Sequence, residues 1–429
     1  MSKVRRAWAA IPWLWQLSAA AMLTVTAVYL IRTVASYKLI SLGEGESAVG
    51  LSAAAFAILP LFATMPLGRL SDRLASFRRA IAVGAVAIGI GGACTAWAST
   101  AGMVIIASAV LGLGQAIFAI CTQSAITRLA PDRQLDAAFG WYTAALSLGQ
   151  MAGPLLSGSI LGNAPLSAMA GRTGAADIIA QALWAGVAIS CLTVPVVWFS
   201  ALDRRKHGGP GAQTAARGRR VRAARADTKR NPGAKGPGIL MILKVRGVPS
   251  QLAAAMALLA ILDILTAFLP LLGEEHGVSP FWIGILLAVR GGASFVSRIF
   301  LPALVRKWSR EALLAASLLG SAAAVALLPL VLDWFWLALV LMSLGGFLLG
   351  LGQPMTMTMV SHTVPEAWRG TALALRLMGN RVAQVVFPAV AGAVAAPAGP
   401  SGALWFACVV MAGAGTQRLL RNRRGGADR

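Results

Sequence analysis

Twelve times along this chain the sequence runs for about twenty residues or more with almost nothing but apolar side chains. Coiled as an α-helix, a run of that length matches the ~30 Å hydrocarbon thickness of a bilayer. Inside lipid the backbone must satisfy its own polar groups, and a helix does so within one segment. The spans read as 13–38, 47–67, 79–98, 102–127, 138–162, 176–200, 249–272, 280–301, 311–332, 334–361, 371–394 and 401–419. Composition agrees, since only 12% of residues are charged where soluble domains carry about 25%. The expected fold class is an all-α membrane protein with twelve transmembrane helices.

A net charge of +23 would point a soluble chain toward nucleic acid. Its distribution argues for a membrane topology instead. One set of connections holds Arg69, Arg73, Arg78 and Arg79, then Arg128 and Arg133, then Arg306, Lys307 and Arg310, then Arg369; both termini belong with it. The opposite set holds Glu44, Glu46, Glu274, Glu275 and Asp333, with Arg172 as a stray cation. That asymmetry predicts a multi-pass protein of the bacterial cytoplasmic (inner) membrane with both termini in the cytoplasm. Residues 203–246 form a basic hydrophilic linker, rich in Gly, Ala and Arg, with too little apolar surface to fold alone. Near its end Ile239–Leu243 is too short to span and is expected at the membrane interface.

The parts on either side of the linker repeat. An offset of 234 joins Gly50 to Gly284, Gly68 to Pro302, Arg73 to Lys307, Pro154 to Pro388 and Gly158 to Gly392. Gly112-Leu113-Gly114-Gln115 recurs as Gly350-Leu351-Gly352-Gln353. The expected organisation is an N-terminal six-helix bundle (1–202), the linker (203–246) and a C-terminal six-helix bundle (247–429).

Two motifs carry a family resemblance. Between the second and third spans lies Gly68-Arg69-Leu70-Ser71-Asp72-Arg73, followed by Arg78-Arg79, with Ala75 where a second glycine is common. In the fifth span Gly140, Gly149, Gly153-Pro154 and Ser157-Gly158 stand at fixed spacing, Ser157 replacing a usual glycine. Together with the six-plus-six repeat, these resemble the major facilitator superfamily of transporters, over nearly the whole chain apart from linker and tails. The resemblance implies a substrate site between the halves near midplane. It implies that Gly68, Asp72, Arg73 and Arg78 form a gating latch, with Asp72 facing the positive N-terminus of the eleventh helix. It also implies that the fifth-span motif is that of antiporters, and that the protein is a monomer. Physically, the motif glycines allow close helix approach. Two departures stand out: Ser108 replaces an arginine frequent in proton antiporters, and Arg306 stands where the second-half loop would repeat Asp72.

Ionisable groups inside spans mark a pathway or a pair, because each costs at least ~2.5–3.5 kcal/mol in hydrocarbon. Asp263 is the one carboxylate well inside a span. It is either the protonatable coupling residue or the counter-charge of Arg290. Arg376, Asn380 and Gln384 recur at spacing four and so share a helix face. Gln115 and Gln353 occupy matched places in the two repeats and are uncharged cavity candidates. Arg32 shares a face with Tyr29 and Thr33, but Arg32 and Arg298 lie nearer span ends, where a long side chain can snorkel. The excess of arginine over acid points to a substrate with an anionic group.

The expected function is therefore a secondary transporter exporting a small organic solute, anionic or amphipathic, by proton antiport. The alternatives are a proton-coupled importer of an organic anion and a non-transporting sensor on the same fold. Enzyme chemistry is not expected: no Ser/His pair, paired carboxylates or zinc-ligand cluster is visible, and no lysine-bearing phosphate loop signals ATP. Cys94, Cys121, Cys191 and Cys408 sit singly in apolar runs. Neither a metal nor a cofactor is expected, and the partners are the small-molecule substrate, H+ and the lipid bilayer.

Overall fold

The computed structural model describes residues 12–71, 76–130, 135–165, 174–200, 239–245, 247–365 and 368–427. Asp72 and Arg73 of the proposed latch, and nearly all of the linker, lie outside the described residues. Six long helices precede the linker: α1 (Pro12–Ser41), α2 (Glu46–Ser71), α3 (Phe77–Trp97), α4 (Ala101–Leu129), α5 (Leu135–Leu161) and α6 (Ala175–Trp198). After it come α7 (Val248–Glu275), α8 (Pro280–Lys307), α9 (Arg310–Val331) and α10 (Phe335–Thr363). A continuous Arg369–Ala427 follows. It is two helices, α11 (369–398) and α12 (400–427), that turn at Gly399, whose φ of 71° and ψ of 176° are non-helical. Pro397 and Pro400 flank the turn and weaken the helix on both sides. Among the described residues no strand occurs, and the apolar lengths suit membrane crossing throughout.

Helix starts follow local chemistry. Thr100 accepts a hydrogen bond from the Met103 amide, and Ser309 accepts one from the Ala312 amide, capping α4 and α9. Prolines stand in the first turns of α7 and α8, where a missing N–H does no harm.

Small residues then set the packing inside each half. Gly112 of α4 lies so close to the Phe56 carbonyl of α2 that a Cβ would overlap it, and a Cβ on Gly114 would stand 2.7 Å from the Ile88 amide of α3. The second half repeats the arrangement: Gly350 of α10 meets Ser294 and Ser297 of α8, and Gly352 meets Leu258 of α7 and Ser317 of α9. The recurring Gly-Leu-Gly-Gln is thus a packing signature. Gly112→Ala is expected to destabilise the first half by about 3 kcal/mol, because the obstructing atom is backbone and cannot rotate away. Thermal melting in detergent reads this, and an unchanged midpoint would contradict it.

The two halves meet through symmetry-related contacts. A Cβ on Gly50 of α2 would stand 2.7 Å from the Gly392 Cα of α11. The matching contact sets Gly284 of α8 against Gly158 of α5, where a Cβ on Gly284 would be 3.1 Å from the Gly158 Cα. The Phe281 amide donates to the Gly162 carbonyl at 3.2 Å beside it. All of these lie at the end of the bundle away from the described chain ends, so that end is sealed. A shared apolar core reinforces it, with Ala35, Leu39, Val49 and Ala53 of the first half packed among Ile264, Leu265 and Phe268 of α7.

Ile239–Leu243 forms one short helix turn. Leu240 and Met241 are exposed as an interfacial segment requires, but Ile242 is fully buried against Val248, Val360 and Ala372. The segment is therefore docked on the second bundle as well as facing outward.

Candidate functional site

Between the halves, α1, α7, α8 and α11 bring together the intramembrane ionisable groups. Arg32 Nη1 of α1 lies 2.7 Å from Asp263 Oδ1 of α7, with side chains only 9% and 6% exposed. The other carboxylate oxygen, Oδ2, accepts from Gln384 Nε2 of α11 at 2.9 Å, and Gln384 Oε1 accepts from Arg381 Nη1 at 3.0 Å. An unbroken polar chain thus runs Arg32–Asp263–Gln384–Arg381 and ties the first half to the second. The Arg32 guanidinium also sits 4.3 Å from the centre of the Phe56 ring, a distance suited to a cation–π contact.

This geometry removes Arg290 as the counter-charge of Asp263. Its ion-pair partner is Arg32, from the opposite half, and not Arg290. Arg32 does not snorkel; a carboxylate in the core holds it inward. Arg298 is likewise turned inward, where its Nη1 donates to the Thr143 carbonyl of α5 at 3.1 Å. Thr33 spends its hydroxyl on the Tyr29 carbonyl and does not line a site.

Among the described residues Arg290 is the largest fully buried side chain, 1% exposed. Its electrostatic neighbours are Tyr29, Asp263 and Arg32. Its Nε and Nη2 are buried without a hydrogen-bond partner. A buried guanidinium in that position is costly unless an anion or another acceptor meets it.

A second cluster lies between α10 and α11. Arg376 Nη2 donates to Thr356 Oγ1 at 3.0 Å and to the Gln353 carbonyl at 3.3 Å. Arg376 Nε, Gln353 Nε2 and Asn380 Oδ1 remain buried with no partner. Arg376, Asn380 and Gln384 are all buried, as one stripe along α11 requires. Gln115 is half-buried on α4, and neither cluster contains it.

The motif residues divide. Gly149 and Gly153 of α5 press on Met22, Val25, Thr26 and Tyr29 of α1, and Gly158 presses on α8. Pro154 sits inside α5 and its carbonyl faces Gly284. At Gly140 and Gly68 a Cβ would meet nothing within 4 Å, so close approach does not explain glycine there in this conformation. Arg78 fastens α3 to the end of α6 by donating to the Ser200 carbonyl at 2.8 Å.

Sequence reasoning missed Phe56, Thr356 and the hydroxyls of Ser36, Ser52 and Thr266 near Arg32. Single serines and threonines are common on membrane helices, so nothing in the sequence separates these from packing residues. Among the described residues no cluster of three or more metal-ligating side chains occurs.

The sequence profile of the Major Facilitator Superfamily matches residues 17–345 and 310–428. Solved structures agree on the fold. A D-xylose-proton symporter superposes with a TM-score of 0.72 at 15% identity, covering 95% of this chain and 97% of that one. A bacterial homolog of the human lysosomal transporter Spinster, in an inward-facing and unoccupied conformation, gives 0.70 at 16% identity and 97% coverage of both chains. The nucleoside transporter NupG (D323A mutant) gives 0.68 at 14% identity, covering 95% of this chain and 98% of that one. Among curated protein sequences none matches. With a profile spanning nearly its whole length and a twelve-helix bundle built as two matching halves, the chain belongs to the major facilitator superfamily.

Proposed function

We propose that the chain carries a small organic anion across a bacterial cytoplasmic membrane by alternating access, with its termini in the cytoplasm and with proton coupling through Asp263. The observation that carries this reading is Arg290, fully buried between the halves with two guanidinium nitrogens unpartnered. Its charged neighbours are Arg32 and Asp263, and Arg298 and Arg381 lie in the same network while Arg376 is buried in the second cluster. An anionic substrate supplies the missing counter-charge, and its carboxylate or phosphate fits the planar fork of arginine. With the termini in the cytoplasm the seal at Gly50 and Gly284 faces outward, so the outward path is closed in this conformation.

The sense of coupling follows from charge. Protonating Asp263 removes the only negative neighbour of Arg290 and releases Arg32, so each proton bound raises affinity for an anion. By reciprocity the anion raises affinity for the proton. Ligands that favour each other travel together, which makes proton-coupled uptake the best-supported reading. A second reading, export by proton antiport, rests on the fifth-helix spacing of Gly140, Gly149, Gly153, Pro154 and Gly158.

The test is ligand stabilisation of the purified protein, at fixed chloride concentration, by a panel of carboxylates, sulfonates and organic phosphates set against amphipathic cations. Anions are expected to raise the melting temperature, and Arg290→Gln to weaken the best of them by about a hundredfold, as for a lost charge-assisted pair. Stabilisation by cations, undiminished in Arg290→Gln, would overturn the reading.

A further inference from the structure

Beside the Arg32–Asp263 pair, toward the sealed end, the helices enclose a cavity of about 20 Å³. One buried water needs roughly 10–15 Å³, so the space admits at least one particle of that size. The polar lining is Arg32 and Ser36 from α1, Ser52 from α2, Ser108 from α4 and Thr266 from α7. All four hydroxyl residues are buried. Arg32 is more than nine-tenths buried, and its Nη2 has no partner. Ser52 and Ser108 hydroxyls are 2.8 Å apart, so one donates to the other and the second keeps a free proton.

We infer that this cavity is a binding site for a monatomic halide, chloride in the cell. Its polar lining holds no carboxylate or amide; Thr266 spends its hydroxyl on the Leu262 carbonyl at 2.8 Å, so the donors facing the space are Arg32, Ser36 and one of the Ser52–Ser108 pair. Asp263 is shared between Arg32 and Gln384 and leaves Arg290 uncompensated. The region therefore carries excess positive charge in a low-dielectric setting, where an anion is favoured over neutral water. Chloride is only slightly larger than water, so a space that admits a water-sized particle suits it. The site is separate from Arg290, which does not line it. It holds whether or not the transported substrate is an anion.

The experiment compares melting of the purified full-length protein in sodium chloride or bromide with sodium gluconate at equal ionic strength. Halide is expected to raise the melting temperature saturably. Ser36→Ala with Ser52→Ala should raise the half-saturating halide concentration about tenfold, while Arg290→Gln, which removes a nearby charge but no part of the cavity wall, raises it by less. Equal melting in gluconate and halide would overturn the assignment and leave water as the occupant. So would a response lost in Arg290→Gln and kept in the serine variant, which would put the ion at Arg290. Should the serine variant fail to fold, anomalous scattering from bromide-soaked crystals of the unmodified protein decides: a peak between Arg32 and Ser36 supports the site, and its absence refutes it.

Discussion

Valines placed at both Gly50 and Gly284 should leave a folded protein that no longer closes the end away from its termini and has lost transport. Each glycine faces backbone of the other half: Gly50 faces the Pro388 carbonyl and the Gly392 Cα, and Gly284 faces the Pro154 carbonyl and the Gly158 Cα. Backbone in a packed helix cannot swing aside as a long side chain can, so added carbons force the helices apart. The three atoms nearest to each added Cβ all belong to the opposite half. Each half should therefore still fold, and the protein should rest in a conformation that lacks this seal. Alternating access needs both conformations, and removing one stops the cycle. Ala53→Cys, on the α2 face behind the seal, gives the readout in a background freed of the four native cysteines. An impermeant thiol reagent added from the outside should label it rapidly in the valine variant and slowly without the valines. Slow labelling with normal transport would refute this role for the two contacts.

The Arg32–Asp263 pair should behave as a unit, with each single removal worse than removing both. A buried ion pair gains little over a neutral pair of similar shape, but breaking one partner leaves an uncompensated charge and costs about 3–5 kcal/mol. Arg32→Gln leaves Asp263 with only Gln384; Asp263→Ala leaves Arg32 and Arg290 together with no carboxylate between them. Arg32→Gln combined with Asp263→Asn places two amides where the ions were and retains a donor and an acceptor toward Gln384. Melting temperatures in detergent should fall strongly for Arg32→Gln and Asp263→Ala and recover in the double neutral variant. Additive losses would show that the pair is incidental to the joint between the halves.

Much of this architecture was legible in the sequence because membrane helices declare themselves by length and apolarity, and because the halves repeat. The break between α11 and α12 was visible as the gap between the apolar runs 371–394 and 401–419. The repeat of Gly50 at Gly284 and of Gly158 at Gly392 was legible too, but its consequence was not. The contacts pair Gly50 with Gly392 and Gly158 with Gly284, joining non-equivalent helices of opposite halves. Only the arrangement of the bundles decides that. The partner of Asp263 was hidden for the same reason: Arg290 is the near ionisable group in sequence, while Arg32 arrives from the other half. Arg32 was read as able to reach a span end, since stem length alone does not reveal a counter-charge in the core. Of the hydroxyls around the small cavity only Ser108 drew notice, as a replaced arginine; Ser36, Ser52 and Thr266 gave no signal, for a serine every few turns is ordinary packing in such helices.

The coupling role of Asp263 is the centre of this account, and proton flux in proteoliposomes tests it most directly. Protein is reconstituted with a pH-sensitive dye inside, and the anion that best stabilises it is added outside under an inward proton gradient. Unmodified protein should acidify the interior in step with anion uptake. Asp263→Asn should still exchange labelled anion across the membrane but move no protons with it. Proton flux of unmodified size in Asp263→Asn would contradict the account and reduce Asp263 to the structural counter-charge of Arg32; substrate-dependent proton movement in the outward sense in the unmodified protein would favour export by antiport.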